Sequence, residues 1–347
     1  MKLRLLLLSV LLFTISALTA ACGSGEIEPT TLRLVSYDSF EISEETINAF
    51  QEATGHTVEI VKQGDAGEMI NQSILSKNNP LGDVIYGIDN TFLSRALEND
   101  ILLAYESEQL ANINDSLKLD SENRALPVQF GDVCLNYEKA WFEENGIAPP
   151  SSLADLVDEA YAGLTVVQNP ATSSPGLAFL MATIDAYGED GYQDYWAQLV
   201  ANDVRVESGW SEAYYGAFSM YDGDRPIVVS YASSPPVEVF FGELEDAPTA
   251  TVTSPQSCFR QVEFVGILNG TEHEGAAQQL VDFILDQTFQ EDIPLNMYVF
   301  PANSNAALPD VFSAHADIPA EPATLDPDSI ANNRDSWIEG WTETVLR

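Results

Sequence analysis

The sequence predicts an α/β protein of two lobes, each a mainly parallel sheet flanked by helices, joined by extended hinge crossings. Three observations predict it. From Thr31 onward short apolar runs of strand length alternate with stretches of helical period, the pattern of a parallel sheet covered on both faces. With a leader of 21 residues set aside, 326 of the 347 residues remain, more than one hydrophobic core holds. Two long extended runs, LPVQFGDVCLNYEKAWF from Leu126 and SCFRQVEFVGIL from Ser257, suit a chain that leaves one lobe and later returns.

The leader occupies residues 1–21: Lys2 and Arg4, an apolar run from Leu5 to Ile15, then small residues up to Cys22. That run is too short to span a bilayer and is expected to be an export signal. The LTAAC ending, Leu18 to Cys22, looks like a lipoprotein processing site with Cys22 as the lipidated residue, although Thr19 stands where a large aliphatic residue is usual. Residues 22–30 are then a tether. One lobe is expected from residues 31–128 with about 262–300, the other from 129–261 with a tail of about 301–347.

TLRLVS opens the first lobe as a strand, and Ser43-Glu44-Glu45 starts a helix carrying Ile47, Phe50 and Ala53 on one face. TVEIVK is a second strand, followed by a helix from about Ala66 to Lys77. GDVIYGID is a third, running into a helix from about Asn90 to Glu98. The loops after Ser36, Gln63 and Gly87 share the carboxyl edge, where open sheets bind ligands. They carry Tyr37, Asp38, Asp65 and Asp89. Asp38 beside Tyr37 suits a ligand contact, whereas Asp89 serves equally as a helix cap.

In the second lobe PPSSLADL predicts a helix capped by Ser151 or Ser152. GLTVVQ is a strand, and the next helix has Ser174 as N-cap, Pro175 first and Gly188 as terminator. Apolar nearly all round, that helix is buried. Its amino end, with Thr172, Ser173, Ser174 and the Gly176 amide, is a natural anion site, since unpaired N–H groups and the dipole point outwards there. Ser208 to Pro236 supplies a helix start with Trp210, Glu212, Tyr214 and Tyr215, then the strand from Ile227 that ends at Tyr231. Tyr214, Tyr215, Phe218 and Tyr221 recur at helical spacing and suit a core stripe. Trp210 and Tyr231 sit at element ends beside Gly or Ser, where an aromatic face reaches a ligand. GAAQQLVDFILDQTFQEDIP gives an amphipathic helix and a second short one. A last helix, capped by Asp326 with Pro327 first, places Ile330, Trp337, Ile338, Trp341 and Val345 on one face.

After processing, Cys134 and Cys258 remain, and in an exported chain they suit a disulfide. Both lie in the extended runs, so a bridge would staple the hinge if their Cα atoms stand about 4.4–6.8 Å apart. Histidines 56, 273 and 315 are too scattered for a zinc site. The formal charge of -40, more negative still without Lys2 and Arg4, repels nucleic acid and anionic lipid and draws in a cation. Two crossings imply a clam-shell that closes on its ligand.

Taken in order, VSYDSF, DVIYGIDN, NPATSSPG, GWSEAYY, VVSYASSP and NNRDSWIEGW, with the lipid-type cysteine, resemble the thiamine-binding proteins of bacterial ABC importers, within the type II periplasmic-binding-protein fold. The resemblance implies a monomeric, exported receptor anchored by lipid to the outer face of the cytoplasmic membrane. It would capture thiamine, thiamine monophosphate or thiamine diphosphate and hand it to an ABC permease and, through it, an ATPase, without catalysis, cofactor or metal. Carried over, Tyr37 and Tyr231 contact the vitamin's rings, Asp65 lies near the thiazolium and phosphate side, Ser173 and Trp210 lie on the phosphate side, and Tyr298 falls where several members stack a tryptophan on the pyrimidine. Val237 replaces a second stacking tyrosine, and Ala66 a glycine whose amide lies near phosphate in some relatives. Two other expectations compete: an Fe(III) or polyamine receptor of the same fold, and a thiaminase I-like enzyme using Cys134.

Overall fold

The computed structural model of the chain describes residues 28–323 and 325–347; the expected export signal, Cys22 and most of the tether lie outside the described residues. Strand β1 (Thr31–Ser36) pairs in parallel with β2 (Thr57–Lys62) on one side and β3 (Val84–Asp89) on the other. Every residue of β3 is buried, as a strand covered on both faces requires. Helices α1 (Glu44–Thr54) and α2 (Ala66–Leu75) make the connections. Ser43 caps α1 by accepting the Thr46 amide, and Gly55 ends it at φ 77°, a left-handed position that favours glycine. The next helix, α3 (Leu93–Glu98), starts later than expected because the Asp89 carboxylate holds the Thr91 and Phe92 amides in a turn first. A short β4 (Leu102–Leu103) follows.

β5 (Leu126–Glu138) is the outgoing crossing, and α4 (Lys139–Asn145) continues from it. PPSSLADL does not form an α-helix. Asp155 accepts the Ser151 and Ser152 amides and closes one 3-10 turn, Leu153–Val157, and Asp158 caps another at once. Then come β6 (Thr165–Gln168), α5 (Ser174–Tyr187), α6 (Tyr192–Ala201), β7 (Arg205–Glu207) and β8 (Ile227–Tyr231). The cap of α5 is Ser173, whose Oγ accepts the Gly176 amide, one residue before the expected Ser174. Ser174 is already helical, which leaves Pro175 inside the first turn where its missing N–H costs nothing. SEAYYGA makes a single π-turn, Glu212–Ala217, instead of a helix start.

The chain then forms α7 (Ser234–Gly242), β9 (Thr249–Val252), and the return crossing β10 (Phe259–Leu268). Helices α8 (Glu274–Leu285) and α9 (Gln287–Met297), β11 (Phe300–Pro301), α10 (Asp310–His315) and α11 (Pro327–Val345) complete it. Asp326 caps α11 as expected, and Trp341 is buried edge-on against Trp196 of α6, ring centroids 5.5 Å apart. Among the described residues no helix is long and apolar enough to cross a membrane.

The strand order β2-β1-β3-β10-β5-β8-β6-β7 sets two parallel trios on either side of one antiparallel pair. That pair, β10 and β5, is the double crossing of a two-lobed type II fold. Cys134 and Cys258 form a disulfide where the crossings meet, with Cα atoms 4.3 Å apart, just under the expected range.

Candidate ligand-binding cleft

The carboxyl ends of β1 and β8 and the amino ends of α2 and α5 face one another across the crossings. Between them lies a cleft of about 300 Å³. Tyr37, Asp38, Asp65, Ser174, Trp210, Tyr231 and Tyr298 all line it. Glu41 and Glu263 line it too, and no lysine, arginine or histidine does among the described residues.

Its floor is organised by Glu263, a buried acid on β10. One oxygen accepts from the Tyr37 hydroxyl at 3.0 Å and Gln129 Nε2 at 2.8 Å; the other accepts from Gln261 Nε2 at 2.7 Å. Gln261 Nε2 also reaches the Tyr231 hydroxyl at 3.3 Å, so one carboxylate orients two aromatic walls. Burial, with the nearby Asp89 charge, pushes the Glu263 carboxyl up to about 7 despite those three donors. Two glycines make room for the rings. A Cβ on Gly87, at φ +100°, would stand 2.1 Å from Tyr37 Cε1, and one on Gly131 would stand 3.0 Å from Tyr231 Cδ1.

At the other end Asp65 joins the lobes. Its Oδ1 accepts the Ala66 amide at 2.6 Å and the Ser174 amide at 3.1 Å, while Oδ2 accepts the Trp210 amide at 2.9 Å. Burial still raises its carboxyl to about 6, against the lowering effect of the Trp210 and Ser174 amides. The contact is close: a Cβ on Gly67 would meet the Thr172 carbonyl oxygen at 2.7 Å. Asp38, opposite Ser211, is likewise raised by burial.

Aromatic rings form the remaining wall. Trp210 stacks on Tyr214 at 4.7 Å and 16°, and Tyr215 and Tyr298 stand edge-on to it at 5.3 and 6.3 Å. The indole N–H donates to Ser230 Oγ at 3.0 Å, and the Tyr214 hydroxyl to the buried Glu238 at 2.5 Å. Tyr298 adopts φ 61°, a left-handed conformation uncommon for a bulky residue, at the end of α9. Ser233 holds it there by donating to its carbonyl.

Two expected contacts lie elsewhere. Asp89 is fully buried off the cleft, its Oδ1 spent on Thr91 and Phe92. Ser173 is buried at the amino end of α5 with its hydroxyl accepting the Gly176 amide. Val237 packs with Phe300 and Phe312, with the cleft residue Tyr298 against the same cluster, and does not itself line the cleft. Cys134 is buried in its disulfide and does not line the cleft. Sequence reasoning missed Glu263 and placed Tyr215 in a core stripe. The stripe divides: Tyr214 and Phe218 are buried, while Tyr215 is 44% exposed and faces the ligand space. The one available signal for Glu263 was an acid between Val262 and Phe264 in a strand whose following residues are apolar.

The chain is 26% identical to the thiamine-binding periplasmic protein of Salmonella typhimurium strain LT2 over 333 residues, covering 94% of this chain and 97% of that one. It is 26% identical to the protein of the same description from Escherichia coli strain K12 over 331 residues, covering 94% and 97%. A solved structure described as a periplasmic thiamin binding protein superposes with a TM-score of 0.80 at 25% identity, covering 91% of this chain and 96% of that one. Residues 79–333 match the family described as bacterial extracellular solute-binding protein, and the chain belongs to that family.

Proposed function

We propose that this solute-binding protein captures thiamine in the inter-lobe cleft outside the cytoplasmic membrane and delivers it to an ABC permease. The observation that carries the reading is a cleft walled by Tyr37, Tyr231, Trp210, Tyr215 and Tyr298 and lined by Asp38, Glu41, Asp65 and Glu263, with no basic side chain. Thiamine is a flat aminopyrimidine joined to a permanently cationic ring. A cation on an aromatic face gains about 0.5–2 kcal/mol, more when water is excluded. Buried carboxylates add to that attraction. The thiamine-binding relatives support the same ligand.

The protein acts as a monomer, held at the membrane by lipid on Cys22, and uses no cofactor. An iron site is less well supported: the Tyr37 and Tyr231 hydroxyls are already bonded to Glu263, Gln129 and Gln261. A thiaminase-like reaction is no better served, because a disulfide-bonded Cys134 offers no thiolate. Calorimetry of the purified protein with thiamine, spermidine and Fe(III) tests the reading. Saturable one-to-one heat with thiamine is expected; heat with Fe(III) or spermidine and none with thiamine would refute it.

A further inference from the structure

We propose that Arg334 of α11 is a positioning residue that latches the two lobes in their closed, ligand-holding form by laying its guanidinium on Phe92 of the opposite lobe. The inference rests on the thiamine reading above and adds how the closed cleft keeps its ligand. Arg334 occupies a place in α11 that the helical period reserves for the core: Ile330, Arg334, Trp337 and Trp341 follow one another on a single buried face. An arginine stays buried there only if its charge is compensated. Its Nε and Nη2 donate to Asp335 Oδ1 at 3.1 and 2.8 Å, and its Cζ stands 5.5 Å from the centre of the Phe92 ring. Asp335 Oδ1 also lies 3.6 Å from Arg95 Nη1 of α3, an exposed ion pair that reaches the same lobe and contributes less.

α11 belongs to the second lobe, where Trp341 packs on Trp196. Phe92 belongs to the first, its amide held at 3.1 Å by the Asp89 carboxylate at the end of β3. The ring sits at the seam, for a Cβ on Gly67 would stand 3.0 Å from Phe92 Cζ and 2.7 Å from the Thr172 carbonyl oxygen of the second lobe. Asp89 is also the partner of Glu263 in the ladder between β3 and β10, so cation, ring and carboxylate back onto the acid that orients the aromatic walls of the cleft. Burial raises the Asp89 carboxyl to about 6; its bonds to Thr91 and Phe92 and, after them, the Arg334 charge work against that rise. Opening would carry α11 away with one lobe and Phe92 with the other. A contact made in one form alone favours that form by its whole strength.

Stopped-flow fluorescence of thiamine binding and release, with calorimetry and thermal melts on the same samples, tests the proposal. Arg334→Met keeps an unbranched side chain and removes the charge, so thiamine should bind about tenfold more weakly, through release about tenfold faster at a nearly unchanged association rate. Arg334→Lys keeps a cation over the ring and should stay within about threefold of the unaltered protein. Phe92→Leu removes the ring, and combined with Arg334→Met it should cost little beyond either change alone, because both break one contact. An unchanged release rate in a folded Arg334→Met protein overturns the proposal while leaving the thiamine reading intact. So do equal losses in Arg334→Met and Arg334→Lys, which would make Arg334 a packing residue of α11. If Arg334→Met fails to fold, the release rate of Phe92→Leu decides. Absence of thiamine binding by the unaltered protein defeats both.

Discussion

The two ends of the cleft each rest on a buried acid, yet the acids do different jobs. Glu263 is held by side chains, those of Tyr37, Gln129 and Gln261, and its work is to fix where aromatic rings stand. Asp65 is held by backbone amides from both sides of the cleft, and its work is to join one lobe to the other. Side-chain donors rotate to suit a change of charge, whereas backbone donors are fixed by the helices that carry them. The Glu263 end should therefore respond most to pH, while the Asp65 end should respond most to steric change at the seam.

The most damaging test falls on the seam. Gly67→Ala puts a methyl into the Thr172 carbonyl, so the lobes should no longer meet. Thiamine affinity should fall on the order of a hundredfold, with a smaller loss of unfolding temperature because the same methyl also stands 3.0 Å from the Phe92 ring of its own lobe. Calorimetry and thermal melts check it together. Gly87→Ala strikes the other end. At φ +100°, with the Tyr37 ring 2.1 Å away, it should cost about 2 kcal/mol of stability and move the ring, weakening binding about tenfold. If Gly87→Ala binds normally and Gly67→Ala unfolds, the contrast between the ends is mistaken.

A third effect separates the ends by pH. The Glu263 carboxyl stands near 7 in the folded chain against a usual 4.5, so the stability it contributes is present at low pH and lost as pH rises through about 7. Ligand binding has the opposite sign. An ionised carboxylate attracts a cation, so thiamine affinity should rise several-fold between about pH 6 and 8, with proton release on binding. Asp65, near 6, and the neighbouring Asp89, also near 6, contribute to the lower part of that rise. In Glu263→Gln the upper part should disappear. The smallest effect is Tyr37→Phe, which removes one donor to Glu263 and keeps the ring; a loss of about 1 kcal/mol, roughly fivefold, is expected in the same titration.

Strong periodicity made most of the fold legible. β1 to β3, β5, β6, β8 and β10 were readable as apolar runs, and α1, α8 and α11 from caps and one-sided faces. What escaped was short or irregular: β4, β7, β9 and β11 have two to four residues each, too few to show a period. The π-turn at Glu212–Ala217 shares the spacing of an α-helix over so few residues that its aromatics looked like one stripe. In the cleft, Trp210 and Tyr231 could be picked out because their rings sit at element ends, Tyr37 because its loop lies at the carboxyl edge of the sheet, and Tyr298 from the family resemblance alone. The role of Asp65 could not, since its partners lie 109 and 145 residues away in sequence and are brought near only by the crossings. The expected anion site at α5 was sound as local physics, but a carboxylate from the other lobe fills it.

The charge of the ligand is the point on which the assignment turns. The most direct measurement compares thiamine with an uncharged isostere, a thiophene in place of the thiazolium, by calorimetry at pH 7.5. Rings and size are matched, so only the cation differs. Thiamine should bind at least about tenfold more tightly, from aromatic faces and ionised carboxylates acting together. Equal affinities would contradict the central claim that this cleft recognises a positively charged vitamin.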